Sequence, residues 1–279
     1  VEMKERLESF LTDSCATTSL SFQEKLLSRH YTCDHVVPSV VNQDCFKPTA
    51  FDPELRHRLT FGAPHKFLAL YVGRLGKEKS IDQLIRIVAK LEGVCLAIVG
   101  DGPEAPSLEK FHGTDGIYCK PGFVTHSELA RYYASADVHV SASRFETLGN
   151  TVLESHACAR PVIVPHAQGF CSTVDHEVNG ILYETEEECE VALVRFAADR
   201  AEARAFGEAG KAKVASKNSV DAVQPHMYAW YTRTMSKVAY PKQSTVAWAW
   251  SVLLTAFFVA PISFSAIFLT GVKLRKYPR

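Results

Sequence analysis

The sequence has no surplus of either charge: 31 Lys and Arg balance 31 Asp and Glu over 279 residues. A chain without basic excess gives no electrostatic footing for nucleic acid, so no nucleic-acid partner is expected. Eight cysteines occur, but none lies in a C-x-x-C pair and none has a histidine at zinc-site spacing. No structural metal is therefore expected. Cys95 and Cys158 sit inside apolar runs, which fits unpaired thiols in a reducing compartment. There is no G-x-S-x-G elbow for a serine hydrolase, no G-x-G-x-x-G fingerprint and no Walker loop. His126, His139, His156, His166 and His176 are scattered, and none stands in the H-E-x-x-H arrangement of zinc proteases, so they read as surface or packing residues. The opening V-E-M-K-E-R-L-E-S-F is too charged for a signal peptide. It reads as an amphipathic helix, and a first residue of Val reads as a processed chain or a fragment.

What the sequence does contain is an alternation of buried strands and amphipathic helices. F-L-A-L-Y-V (67–72) and V-C-L-A-I-V (94–99) are unbroken apolar runs, as in strands covered on both faces. Shorter strands are expected near 117–119, 138–142, 161–165 and 181–183. Between them, Ile81, Leu84, Ile85, Val88 and Leu91 share one helical face, and T-H-S-E caps a helix over 127–135. Helices are expected over 186–199, 201–216 and 219–238. Before this block, Asp52-Pro53 starts a helix, and S-F-Q-E-K-L-L-S-R-H starts another, with Ser21 and Glu24 as a capping box. Ser80 and Gln83 suggest a further box. Strand–helix alternation with short links predicts an α/β fold with a Rossmann-like parallel sheet. Ligands of such sheets bind off the carboxyl ends of the strands.

Three loops follow predicted strands directly and should meet at that edge. The most informative is R-F-E-T-L-G-N-T-V-L-E (144–154). Glu146 falls before a helix and Glu154 about two turns inside it. Gly149 at the helix start allows close approach to exposed N–H groups and a positive dipole end, which suits phosphate. Glu154 lies roughly 8–10 Å further along at ~1.5 Å per residue, about the reach from a pyrophosphate to a ribose. A carboxylate there can accept both hydroxyls of a cis-diol. The bland alternative is any helix that happens to carry two glutamates. In V-G-R-L-G-K-E-K-S (72–80), Gly73 ends a strand, and Arg74 and Lys79 supply two cations suited to a diphosphate, although a solvated loop has the same composition. In G-D-G-P (100–103), Gly100, Asp101 and Gly102 form a tight turn, open to a ligand or merely strand-ending. P-G-F-V-T-H-S-E-L (121–129), with Val124, offers an apolar seat for a base or a plain connector.

The tail is a separate signal. Residues 246–272 carry no charge over 27 positions, more than the ~20 needed to cross a bilayer as a helix. Trp248, Trp250 and Tyr277 suit aromatic-belt positions. A C-terminal transmembrane helix is expected, with Lys273, Arg275, Lys276 and Arg279 beyond it.

In this order, V-G-R-L-G-K-E-K-S, G-D-G-P, A-S-A-D-V-H-V-S-A-S and E-T-L-G-N-T-V-L-E resemble the retaining GT-B glycosyltransferases. That large family includes sucrose synthases and phosphatidylinositol mannosyltransferases, and the resemblance is nearest to its sulfoquinovosyldiacylglycerol synthases. It implies the C-terminal half of a GT-B fold. Residues 1–45 would be a remnant of the N-terminal domain with its linker, 46–240 the nucleotide-sugar-binding domain, and 241–279 the membrane segment. By the same resemblance, Arg74 and Lys79 would hold the donor diphosphate and Glu146 would face the donor sugar. Leu148, Gly149 and Asn150 would offer backbone N–H groups, Glu154 would bind the ribose, and Gly73, Gly100, Asp101, Gly102 and Val124 would complete the donor site. The donor would be a nucleotide sugar, most simply UDP-linked, with no cofactor or metal and with retained anomeric configuration. The acceptor would be a bilayer lipid, reached by a catalytic domain on a cytosolic or plastid stromal face. UDP-sulfoquinovose and diacylglycerol are the leading pair. GDP-mannose, UDP-glucose or a donor-binding half-domain without turnover are the alternatives. The acceptor-binding glycine loop of the family has no counterpart in this sequence, and H-A-Q-G-F-C (166–171) replaces a glycine-richer run.

Overall fold

The computed structural model describes residues 14–237. The helix expected over 1–10 and the uncharged stretch 246–272 lie outside the described residues. Among the described residues, no helix is long and apolar enough to cross a membrane. One compact unit runs to Thr232 and a second begins at Arg233. Of the second, only 233–237, the end of the last helix, are described.

The described residues open with a small βαβ unit. Strands β1 (Ala16–Thr17) and β2 (His35–Val36) pair in parallel around helix α1 (Leu20–Ser28). The N-cap of α1 is Ser19, which accepts from the Phe22 N–H, and not the expected Ser21. The apolar Leu20 no more excludes a first helical turn than the polar Ser21 demands one, so the cap fell two residues early. Helix α2 (Pro53–Leu59) begins as expected: Asp52 accepts from the N–H groups of Glu54 and Leu55, and Pro53 fills the first turn where no donor is needed.

The main sheet then forms from β3 (Phe67–Val72), β4 (Val94–Gly100), β5 (Ile117–Pro121), β6 (Val138–Val140), β7 (Val162–Pro165) and β8 (Gly180–Tyr183). All pairings are parallel, and the spatial order is β5-β4-β3-β6-β7-β8. The period of two in each strand sorts side chains to opposite faces. Phe67, Ala69 and Tyr71 of β3 join Leu96 and Ile98 of β4 in one core, with α3 (Ile81–Val88) and α8 (Glu186–Ala198) packed over it. Leu68 and Leu70 join Cys95, Ala97 and Val99 in the other. That core is covered by α2, α5 (His126–Ser135), α6 (Asn150–Ala157) and α9 (Arg200–Lys217). Burial on both faces explains why the strands read as continuous apolar runs. Two short helices that the sequence does not announce, α4 (Ala105–Glu109) and α7 (Gln168–Cys171), follow β4 and β7, and α10 (Val220–Lys237) ends the described residues.

Thr125 and Glu128 form the expected capping box of α5. Ser80 does not form one with Gln83: its backbone is left-handed (φ 49°), and its side chain makes no cap bond. A 3-10 turn, Lys77–Lys79, enters α3 first and turns the chain through Ser80. This tight entry is what aims Lys79 back toward the sheet.

Candidate functional site

The chain leaves β3 toward β4 and β5, then returns to lay β6 on the other side of β3. The strand order reverses between β3 and β6, and in open parallel sheets ligands bind above the carboxyl ends at such a reversal. The loops after those two strands are V-G-R-L-G-K-E-K-S and the Glu146 loop. They meet: Lys79 Nζ donates to Glu146 Oε1 at 2.5 Å and lies 3.4 Å from Ser143 Oγ. Both partners are largely enclosed, with side chains 17% and 25% exposed. Sequence reading assigned these residues to one rim, and the structure joins them by a direct ion pair across 67 positions.

The glycines of the rim interlock. A Cβ on Gly100 would stand 1.8 Å from the Gly73 carbonyl oxygen, and one on Gly102 would stand 2.4 Å from that of Leu75. The Leu75 N–H donates to the Asp101 carbonyl, and the Glu104 N–H donates back to Leu75. Backbone therefore lies against backbone in the two loops. Asp101 turns its carboxylate onto the Gly102 N–H within its own loop, at 2.8 Å. Below them, buried Tyr71 donates to the Arg74 carbonyl at 2.9 Å. Burial first, then the negative charge of Glu146 and Glu78, pushes its phenol far up. The Arg74 side chain itself extends outward, 67% exposed, with Glu78 at 3.9 Å.

Helix α6 begins at Gly149, whose backbone is left-handed (φ 79°). A Cβ there would press into the Phe170 ring at 2.8 Å, so α7 packs directly on the turn. Gly169 of α7 likewise fits against the Glu146 backbone. Leu148 is buried, and its carbonyl accepts from Thr173 Oγ1 at 3.3 Å. The Asn150 side chain accepts from Ser39 at 3.0 Å. The first N–H groups of any α-helix have no partner within it. Those of α6 start where this rim converges. Val124 is half-buried against the α5 side of the core.

Glu154 lies in the same helix but is less open than a cleft-facing carboxylate would be. Its Oε2 accepts from the hydroxyl of fully buried Tyr133 at 3.0 Å. Burial raises the Glu154 pKa, while the Tyr133 hydrogen bond and nearby His126 pull it back. Tyr133 packs edge-on against His139, ring centres 5.7 Å apart. Burial lowers the His139 pKa to about 4, so the imidazole is neutral. Its Nδ1 faces the Leu70 carbonyl at 2.9 Å, and a carbonyl can only accept, so Nδ1 carries the proton. Nε2 then accepts from the Thr151 hydroxyl at 3.2 Å. Neither Tyr133 nor His139 stood out in the sequence. Tyr132 beside Tyr133 looks identical, and His139 reads as one more surface or packing histidine.

The arrangement defines a doubly wound parallel α/β domain with cations, carboxylates and a glycine-started helix at its strand-order reversal. Residues 66–199 match the family described as Glycosyl transferases group 1, and the chain belongs to that family, which has the GT-B fold. It is 32% identical over 216 residues to sulfoquinovosyl transferase SQD2 of Arabidopsis thaliana, covering 75% of this chain and 40% of that one. It is 32% identical over 164 residues to alpha-monoglucosyldiacylglycerol synthase of Acholeplasma laidlawii, covering 55% of this chain and 41% of the relative. The sucrose-phosphate synthase structure from Thermosynechococcus elongatus superposes with a TM-score of 0.71 at 25% identity, over 84% of this chain and 61% of that one. The chain thus spans about two fifths of the length of these two curated relatives.

Proposed function

We propose that this chain is the donor-binding part of a membrane-associated glycosyltransferase that moves a sugar from a nucleotide diphosphate to a lipid, with UDP-sulfoquinovose and diacylglycerol as the leading pair. The carrying observation is the Lys79–Glu146 bridge beside the Gly149 helix start. The diphosphate would lie on the α6 N-terminus, where N–H groups and the dipole favour negative charge. Lys79, drawn from Glu146 toward the departing diphosphate, would stabilise the charge that grows as the glycosidic bond breaks. Arg74 would swing in from solvent as a second, bidentate cation. Glu146, released from Lys79, would face the sugar. Glu154 would accept the ribose hydroxyls, and the loop at Val124 would seat the base. Gly73, Gly100 and Gly102 would let the backbone approach the ligand. Fixed cations and a helix end would do the work of a metal ion, and the family resemblance favours retention of the anomer.

The sugar and acceptor rest on likeness to the sulfoquinovosyl transferase, and a second relative is named for a diacylglycerol glycolipid. The uncharged stretch 246–272 would bring the domain to its acceptor. The test is to supply the full-length protein in vesicles with UDP-sulfoquinovose and diacylglycerol. Sulfolipid formation is expected. Product from UDP-glucose or GDP-mannose instead would move the protein to a sister activity, and no product from any of the three would defeat the transferase reading.

A further inference from the structure

We propose that Tyr133 is a positioning residue for the nucleotide site: its buried hydroxyl fixes one oxygen of Glu154 so that the other stays free for the ligand's diol. The inference rests on the donor-binding role proposed for α6. Tyr133 has no exposed surface, and its hydroxyl has one proton to give, which goes to Glu154 Oε2 at 3.0 Å. Its ring is clamped edge-on between Phe46 and His139, with ring centres 6.0 Å and 5.7 Å away. The donor therefore cannot follow a carboxylate that rotates. His139 in turn holds Thr151, in the first turn of the same helix, and is itself tied to β3 through the Leu70 carbonyl. Two side chains in edge-on contact, from α5 and β6, thus anchor both the helix start and the carboxylate about one turn further in.

A carboxylate in a half-buried site is free to choose between rotamers unless something holds it. Each alternative rotamer populated in the free protein lowers the apparent affinity by the fraction lost. The bond to Tyr133 also favours the ionised carboxylate, the form able to accept two hydroxyls. Around Glu154, the other titratable neighbours are His126 of α5, which favours ionisation, and the Cys158 thiol of its own helix segment, which burial above all, and Glu154 to a lesser degree, pushes up. Removing the Tyr133 hydroxyl alone changes neither.

The experiment uses the full chain and Tyr133→Phe, which keeps the ring and its packing. UDP binding is followed by calorimetry from pH 8 to pH 5, and the Glu154 carboxyl is titrated by carbon NMR without nucleotide. Expected are about fivefold to tenfold weaker UDP binding at pH 7, the scale of one ordinary hydrogen bond, and a Glu154 titration moved to higher pH. The loss of affinity on acidification should begin at correspondingly higher pH in the variant. In turnover, KM for the nucleotide sugar should rise with kcat nearly unchanged, because the ribose contact is made equally in ground and transition states. An unmoved Glu154 titration would overturn the proposal, as would equal UDP affinity across the pH range. A moved titration in a protein whose wild type binds no UDP would instead overturn the donor reading of the site while leaving the hydroxyl–carboxylate bond intact.

Discussion

Two cation–carboxylate pairs arise from the same nine-residue loop, and they differ in kind. Lys79 pairs with Glu146 across 67 positions, largely out of solvent, at 2.5 Å. Arg74 pairs with Glu78 four positions away, in solvent, at 3.9 Å. In the sequence both cations looked alike. The difference comes from the 3-10 turn and the left-handed Ser80, which point Lys79 back over the sheet while Arg74 leaves the strand outward. An enclosed pair is already ordered and faces weak screening. An exposed one has its long side chain still to be fixed, and water competes for it. The rim therefore has a preset half, containing Lys79, Glu146, His139 and Glu154, and a mobile-charge half at its mouth.

The largest effect that tests this division is on turnover. Lys79→Ala should lower donor use by the full-length enzyme by about a hundredfold or more, the scale of roughly 3 kcal/mol seen when one preorganised donor to a developing charge is lost. A loss no greater than that from Arg74→Ala would erase the distinction between the two halves.

The next effect concerns the buried histidine. His139 has an ordinary value of 6.5 that burial lowers to about 4. The unfolded chain therefore binds a proton between these values that the folded chain refuses, and stability falls as pH drops from 6.5 toward 4. Above pH 6.5 this group has no effect. The shift corresponds to about 3 kcal/mol at its limit. His156, also fully buried and lowered to about 4, adds a second slope of the same sign. Urea unfolding at pH 7 and at pH 5 measures the sum, and His139→Gln should remove about half of the pH dependence. A slope unchanged by that substitution would place the preset half's stability elsewhere.

Smaller again is Gly149→Ala. The left-handed backbone and the 2.8 Å approach of the Phe170 ring should together cost about 2 kcal/mol, because neither the turn nor α7 can yield alone. Thermal unfolding should fall by about 4–8 °C. An unchanged melting temperature would show that α7 moves aside freely and that the helix start is less fixed than its neighbours.

The fold was largely legible because burial leaves a strong trace in apolar runs. The strands β3 and β4 and the helix face of Ile81, Leu84, Ile85 and Val88 were readable for that reason, and the Thr125 cap was readable from its T-H-S-E pattern. Caps at Ser19 and Ser80 were not, since serine suits a cap, a turn or a left-handed residue equally well, and tertiary context chooses. The rim loops could be assigned to one edge because each directly follows a strand of a parallel sheet. What stayed hidden was the support beneath them. Tyr133 and Tyr132 are adjacent tyrosines on one helix, both buried, and only α6 packing decides which hydroxyl meets Glu154. Pairings over long separations depend on crossover geometry, which short sequence windows do not encode.

The least effect is expected for the stability of Arg74→Ala. Its side chain is two-thirds exposed and its one described charge partner stands at 3.9 Å, so removing it should change unfolding free energy by less than about 0.5 kcal/mol. Its effect on donor use should nevertheless be measurable, about tenfold, because a diphosphate presents far more charge than Glu78 and is held while the guanidinium orders around it. Raising salt should weaken this contribution more than that of Lys79, since screening acts most on the exposed cation. Measuring UDP affinity of both variants at low and high ionic strength separates the cases. Equal salt sensitivity would mean that both cations reach the ligand from the same enclosed environment, and the division of the rim into two halves would fail at its outer edge.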